Sequence, residues 1–258
     1  MKVWEAVVLG LVQGLTEFLP VSSSGHLVLL QKIFGLKDML FFDVMVHFGT
    51  LLALVAVFWR DLVAMLKRPL AKLPVLIVIG TVPTGLMGVL FNDWFEQIFS
   101  SGKTLGVEFL ITGLILWYAE KARGGKRQLE DMTAADALFI GFMQGLAILP
   151  ALSRSGLTIS GALLRRLDRS LAARFSFLLS IPAILGAAVL ETKDFLQNPS
   201  GTSDIGAVIL GTAVAAVAGY AAIKFMLRLL ERGNMRLFAG YVWVLGLVIT
   251  VAQLAGRF

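Results

Sequence analysis

The stretch QGLTEFLPVSSSGH, residues 13–26, interrupts an apolar run with a Gln, a Glu, a proline and three serines, and ends on one of only two histidines. Pro20 has no backbone N–H and disfavours helical geometry in the residue before it, so a helix over residues 3–20 should stop about there. Ser22 or Ser23 can cap a new helix running to Phe34. A helix start inside a membrane presents free N–H groups and the positive end of a dipole, which suits an anion. Ser23 and His26 are three apart, close enough for the imidazole to approach the hydroxyl, and Gln13 and Glu17, four apart, share a helix face.

The surroundings are those of a membrane protein. Of 258 residues, 57% are hydrophobic and 16% charged, and the mean hydropathy is +0.83. Stretches 73–91, 175–190, 205–223 and 237–256 are nearly free of charge. Stretches 39–59 and 104–119 carry isolated polar residues but are long enough. That makes six expected spans, each close to the roughly 20 residues a helix needs to cross the hydrocarbon core. The chain holds no cysteine, so no disulfide or thiol chemistry is available. The N-terminal MKVWEAVVLGLVQGL lacks a small-residue cleavage site and is read as mature protein. The net charge of +6 does not signal nucleic acid, because the basic residues sit between the spans.

Their distribution orients the chain. Arg60, Lys67, Arg68 and Lys72 follow the first span, and Lys121, Arg123, Lys126 and Arg127 follow the third. Arg165, Arg166, Arg169 and Arg174 precede or open the fourth, and Lys224, Arg228, Arg232 and Arg236 surround the last turn. The alternate loops hold Lys2, Lys32, Lys37, Lys103, Lys193 and Arg257. The bias of 16 against 6 places the richer set in the cytoplasm and both termini outside.

The opening stretch has a second copy. EAVVLGLVQGL from Glu5 matches DALFIGFMQGL from Asp136 at an offset of 131 residues, with five identities in eleven. After a one-residue slip Ser22, Ser24 and Gly25 align with Ser153, Ser155 and Gly156. FGTLLA at Phe48 is echoed by FSFLLS at Phe175. Three spans separate the copies, so the second should be upside down relative to the first. The expected fold is therefore all-α, an integral membrane protein with an inverted-topology repeat, about six transmembrane helices and two re-entrant helix-break-helix hairpins. It forms a single membrane domain over residues 1–258. Repeat one covers about 1–92 and repeat two about 132–224, with the remaining spans at 104–120 and 237–256. In such folds the broken helices meet near the midplane, where exposed backbone lines a polar cavity.

The second break, PALSRSGLTISG over residues 150–161, contains Arg154, the one basic residue that orientation does not explain. A guanidinium inside a membrane is costly without a partner, and its planar fork matches phosphate. Ser153, Ser155 and Thr158 stand around it. Together the breaks offer an anion cradle, a hydroxyl nucleophile and a proton carrier, the inventory of phosphoryl transfer.

These two segments, in order and at this spacing over nearly the whole chain, resemble the signature segments of the undecaprenyl-diphosphate phosphatase family, also called the bacitracin-resistance family. The resemblance implies a multi-pass enzyme of the bacterial inner membrane whose pocket opens to the outer, periplasmic side. It would remove the terminal phosphate of a C55 polyprenyl diphosphate among the membrane lipids, recycling the carrier for cell-wall synthesis and conferring bacitracin resistance. It also implies a divalent cation, Mg²⁺ or Ca²⁺. Carried across, the catalytic residues are Ser23 as nucleophile, His26 and Glu17, and the metal would lie at Glu17 and Gln13. Arg154 would bind phosphate, assisted by Ser22, Ser24, Ser153, Ser155 and Thr158. Gln13 stands where relatives often have Glu, leaving Glu17 the only carboxylate in its segment. Ala151 replaces the usual glycine of the second motif, so its backbone should not need a positive φ.

The expected mechanism has Ser23 attack the terminal phosphorus while His26 relays its proton, water later releasing phosphate. In a variant, water attacks directly with His26 as base. Other readings are open. The serines also suit ordinary bonding within membrane helices, and Arg154 also suits a structural pair with Glu17. His47, one turn beyond Asp43, suits a helical hydrogen bond, and Glu108 and Glu191 suit structural roles near span ends. Small-residue runs such as GTAVAAVAGYAA at Gly211 suit close helix packing and would suit a homodimer. The main rival function is a polyprenyl-phosphate transporter or flippase, which shares the architecture but needs no nucleophile. A purely structural membrane subunit would have no reason to keep an arginine at a break.

Overall fold

The computed structural model describes residues 1–121, 125–197, 204–232 and 234–256. Arg123 and Arg257 lie outside the described residues, as do the side chains of residues 96, 100, 191–197 and 232, and with them the readings of Glu191 and Lys193. The described chain is all-helical. Its helices are α1 (Val3–Phe18), α2 (Ser23–Phe34), α3 (Leu40–Val57), α4 (Trp59–Lys67), α5 (Lys72–Leu90), α6 (Asn92–Ser101) and α7 (Leu105–Lys121). After a 3₁₀ turn at Leu129–Asp131 follow α8 (Ala134–Leu146), α9 (Arg154–Leu164), α10 (Arg169–Gln197), α11 (Ile205–Arg232) and α12 (Arg236–Leu254).

Among the described residues five helices are long and apolar enough to cross a membrane: α3, α5, α10 over Arg169–Leu190, α11 over Ile205–Glu231, and α12. Their outward side chains, such as Val89 at 70%, Val217 at 74% and Leu254 at 84% exposure, form a surface suited to lipid rather than water. These observations make the chain a multi-pass membrane protein. α7, expected as a sixth span, has 17 residues and ends on Glu120 and Lys121. It packs along α12, where a Cβ on Gly113 would enter the Trp243 ring and Trp243 Nε1 donates to the Leu110 carbonyl at 3.1 Å.

Proline ends α1 as expected: the helix stops at Phe18 and Leu19 is extended, φ −78° and ψ 147°. The matched stretches both begin with an acid that closes a capping box. The Lys2 N–H donates to Glu5 Oε2 at 2.6 Å, and the Thr133 N–H donates to Asp136 Oδ2 at 2.8 Å. A Glu or Asp reaching back to its own helix start satisfies donors that helix geometry leaves open. Asp136 also receives Arg127 Nη2 at 2.7 Å and Arg165 Nε at 2.6 Å.

The offset of 131 residues reappears in the packing. On α1, a Cβ on Gly10 would overlap the Gly211 carbonyl of α11, and on α8 a Cβ on Gly141 would overlap the Gly80 carbonyl of α5. Gly10 maps to Gly141 and Gly80 to Gly211, so the two crossings are the same contact made twice. Each joins one copy's broken helix to a span of the other. Backbone approach this close requires glycine. Gly141→Ala is therefore expected to lower stability by about 1–3 kcal/mol through overpacking, seen as a lower thermal midpoint in detergent. Gly240→Ala, where nothing lies within 4 Å of the added carbon, is the control and should leave the midpoint unchanged.

Candidate active site

The two breaks meet and are stitched to each other. Ser22 caps α2 with its Oγ accepting from the Gly25 N–H at 3.3 Å and donating to the Pro150 carbonyl at 2.7 Å. In the other direction Ser155 Oγ donates to the Leu19 carbonyl at 2.9 Å. Leu19 and Pro150 are 131 residues apart, so each break offers the same carbonyl to the other's serine. The crossing leaves no room for side chains at two glycines: a Cβ on Gly25 would press on Phe109 and lie 3.2 Å from Ala151 Cα, and one on Gly156 would lie 3.3 Å from Pro20 Cβ. Ser22 holds φ +66°, a conformation that costs a non-glycine residue roughly 1–3 kcal/mol. Its two hydroxyl bonds and the pull of the facing break keep it there. Ala151 has no positive φ, as the absence of glycine at that position led us to expect.

The second break is clamped from α7. Glu108 Oε2 accepts the Ala151 N–H at 2.6 Å, while Thr112 Oγ1 donates to the Ala151 carbonyl at 3.1 Å and accepts the Ser153 N–H at 3.2 Å. Ser153 then caps α9, its Oγ accepting the Gly156 N–H at 3.1 Å. These bonds satisfy backbone groups that a broken helix would otherwise leave bare in a membrane. They also fix where α9 starts, and so where Arg154, its first residue, can reach.

At the meeting point sits Glu17, 8% exposed. Its Oε1 receives Arg154 Nη2 at 2.6 Å. Its Oε2 receives the Ser23 hydroxyl at 2.5 Å and Gln13 Nε2 at 3.0 Å. His47 Nε2 lies 3.7 Å from the same oxygen. Glu17, Ser23, Arg154 and Gln13 are thus one connected cluster drawn from both copies. Two polar atoms in it, Arg154 Nη1 and Gln13 Oε1, are buried and have no hydrogen-bond partner among the described residues.

Ser23 does not face His26. The imidazole Nδ1 lies 2.6 Å from the Ser22 carbonyl, four residues back, and Nε2 lies 2.7 Å from Tyr241 Oη. The helix turn that brings positions 23 and 26 near each other also offers His26 a backbone acceptor at the mouth of α2, and the ring takes it. The hydroxyl expected to lean on the histidine leans on the carboxylate instead.

The hydroxyls of Ser22, Ser153, Ser155 and Thr158 are committed to protein groups. Ser22, Ser153 and Ser155 cap or stitch the breaks, and Thr158 Oγ1 donates to the Arg154 carbonyl at 2.8 Å while lying 2.5 Å from Ser176 Oγ. Ser24 is half-buried in the first turn of α2. His47, read from the sequence as a helical hydrogen bond, and Tyr241, which the sequence does not single out, are site neighbours. His47 had a visible signal, an imidazole inside an apolar span, and its Nδ1 does meet the Asp43 carbonyl one turn back at 2.7 Å. Tyr241 had none beyond being one aromatic among several.

Among the described residues no three His, Cys, Asp or Glu side chains gather as a metal site. One carboxylate beside an unpartnered buried amide oxygen does suit a hard divalent cation that takes its other ligands from water and substrate phosphate.

Residues 6–248 match the family model described as bacitracin resistance protein BacA. The chain is 58% identical to the undecaprenyl-diphosphatase of Carboxydothermus hydrogenoformans, with all of both chains covered. It is 46% identical to undecaprenyl-diphosphatase 4 of Bacillus thuringiensis over 96% of each. To the undecaprenyl-diphosphatase of Halothermothrix orenii it is 44% identical, again over the whole of both.

Proposed function

The chain belongs to the bacitracin resistance protein BacA family, and from that premise we propose that the cluster around Glu17, Ser23 and Arg154 is where it hydrolyses undecaprenyl diphosphate. The activity is that of an undecaprenyl-diphosphatase: it converts the C55 lipid diphosphate to the monophosphate and inorganic phosphate. One observation carries the assignment of the site. Arg154 spends Nη2 on Glu17 and keeps Nη1 buried and without a partner among the described residues. A desolvated donor costs about 1–3 kcal/mol if nothing ever reaches it, so its use is to meet an anion that comes and goes. The starts of α2 and α9, stitched together at the breaks, add the positive ends of their dipoles.

On this reading the terminal phosphate lodges against Arg154 Nη1 and the helix-start amides. Ser23 Oγ attacks the terminal phosphorus and gives its proton to Glu17 Oε2, 2.5 Å away. The phosphoanhydride bond breaks and its electron pair leaves with undecaprenyl monophosphate. Water then attacks the phosphoserine, phosphate departs, and the serine oxygen takes its proton back. Glu17 is held to this task by Arg154 on one oxygen and Gln13 on the other. A Mg²⁺ or Ca²⁺ ion would be held by Glu17 and Gln13 Oε1, and when bound would neutralise charge on the diphosphate.

The same reading gives the chain its topology. α7 is the sixth span, α1–α2 and α8–α9 are re-entrant hairpins entering from opposite sides, and the two repeats are inverted. The charge bias of the loops then opens the site to the outer face of the inner membrane, where hydrolysis recycles the carrier lipid and deprives bacitracin of the diphosphate. The architecture also suits a transporter. Purified protein in detergent with C55 diphosphate and Mg²⁺ is expected to release one phosphate per lipid; a pure transporter would release none.

A further inference from the structure

Tyr241 belongs to α12, outside both breaks and outside every group of residues assigned above. The polar side chains of α12 are aimed with purpose: Trp243 at the Leu110 carbonyl at 3.1 Å and Gln253 at the Gly102 carbonyl at 2.7 Å, both binding α12 to the α7 region. Tyr241 alone among these reaches the first break. Its Oη lies 2.7 Å from His26 Nε2, and the two rings are stacked with centroids 5.7 Å apart and planes 7° from parallel. Phe109 closes on the imidazole edge-on, centroids 5.5 Å apart.

The chemistry of these contacts sets the tautomer. A carbonyl oxygen can only accept, so the bond to the Ser22 carbonyl places the proton of a neutral His26 on Nδ1. Nε2 then carries a lone pair, and the Tyr241 hydroxyl donates to it. The ring is held at both nitrogens and against Phe109; Nδ1 is bound within its own helix, so Nε2 is the nitrogen that acts once the Tyr241 hydroxyl is exchanged for diphosphate or water. His26 is 8% exposed whereas Tyr241 is 49% exposed. The tyrosine is the exposed partner of the pair and the histidine the buried one. An aromatic anchor at the membrane interface would keep its hydroxyl in the headgroup region; this one spends it on a buried ring nitrogen.

We propose that Tyr241 is a positioning residue for the phosphatase reaction, holding the aim of the His26 ring from the last span until diphosphate or water takes its place at Nε2. It rests on the sequence expectation that His26 carries a proton in the hydrolysis proposed above. Orientation of a proton-transferring group contributes when that group acts and nothing when it is gone.

The test is a double-mutant cycle on the full chain in detergent, with kcat and KM for C55 diphosphate and the thermal midpoint measured for each variant. Tyr241→Phe keeps the stacked ring and removes only the hydroxyl. It is expected to lower kcat about tenfold with KM within about twofold and the midpoint unchanged. His26→Ala is expected to lower kcat further, and adding Tyr241→Phe to it should change nothing more, since the tyrosine then has no histidine to hold. Independent losses that multiply would overturn the assignment, as would a Tyr241→Phe enzyme as fast as wild type beside an impaired His26→Ala. An undiminished His26→Ala enzyme would overturn the role of His26 itself, and this inference with it.

Discussion

Arg154→Ala is expected to lower kcat/KM for the lipid diphosphate about 10³-fold, a loss of roughly 4 kcal/mol of transition-state stabilisation. The substitution removes two things at once. The unpartnered Nη1 no longer meets the phosphate, and Glu17 Oε1 loses the Nη2 contact of 2.6 Å. A carboxylate stripped of its guanidinium inside a membrane protein is costly, on the order of 3–5 kcal/mol for a buried pair broken from one side. The alanine variant should therefore also melt earlier. Arg154→Lys separates the two effects. A lysine retains the positive charge for Glu17 but is a single point of donation and cannot hold a carboxylate with one amine and a phosphate with another. It is expected to recover most of the stability and only part of the rate, remaining about tenfold to a hundredfold below wild type. Phosphate release and the thermal midpoint, measured on the same preparations, read the two quantities independently. A folded Arg154→Ala protein within tenfold of wild type would show that the arginine is only the structural partner of Glu17, and the phosphate would have to bind elsewhere.

Ser23→Ala should abolish turnover to the level of on the order of 10⁻⁴ of wild type or below, the scale of loss when a covalent nucleophile is removed from a site that otherwise stays assembled. The assembly should survive, because among the described residues Ser23 Oγ makes one hydrogen bond, to Glu17 Oε2 at 2.5 Å, and leaves the stitching of the breaks to Ser22 and Ser155. In the wild-type enzyme, acid quenching during turnover of substrate labelled on the terminal phosphate is expected to trap the label on Ser23. A Ser23→Ala enzyme that keeps most of its activity would exclude the covalent route. Water would then be the nucleophile, with the Nε2 of His26 as its base. The distances favour the serine. Its hydroxyl already donates to a carboxylate, whereas Nε2 must first release the Tyr241 hydroxyl.

Much of this was legible before any coordinates. Pro20 stops a helix through its own missing N–H, and Ser22 and Ser153 cap the next helices through their own hydroxyls. Glu5 and Asp136 close boxes over three residues. Each is a matter of neighbours in the chain; the stop at Pro20 and the cap at Ser22 appear where they were expected, while the two capping boxes and the Ser153 cap were local signals left unread. The repeat was legible too, because duplicated segments keep their spacing, and the glycine crossings at Gly10 and Gly141 show why those small residues recur.

The sequence by itself determined that this is a multi-pass membrane protein with two broken helices, and that Glu17, Ser23, His26 and Arg154 are its unusual polar residues. Those follow from hydropathy, proline and charge, which act over a few residues. Only the tertiary structure decided which of them touch. Three residues along a helix, Ser23 and His26 looked like a pair, yet the serine turned to Glu17 and the histidine to a carbonyl and to Tyr241, 215 residues away. Arg154 crosses 137 residues to reach Glu17. Hydrogen-bond partners are chosen by distance and direction in space, and inside a membrane, where water offers no substitute, a buried polar group can take only the partner that the fold or a substrate brings to it.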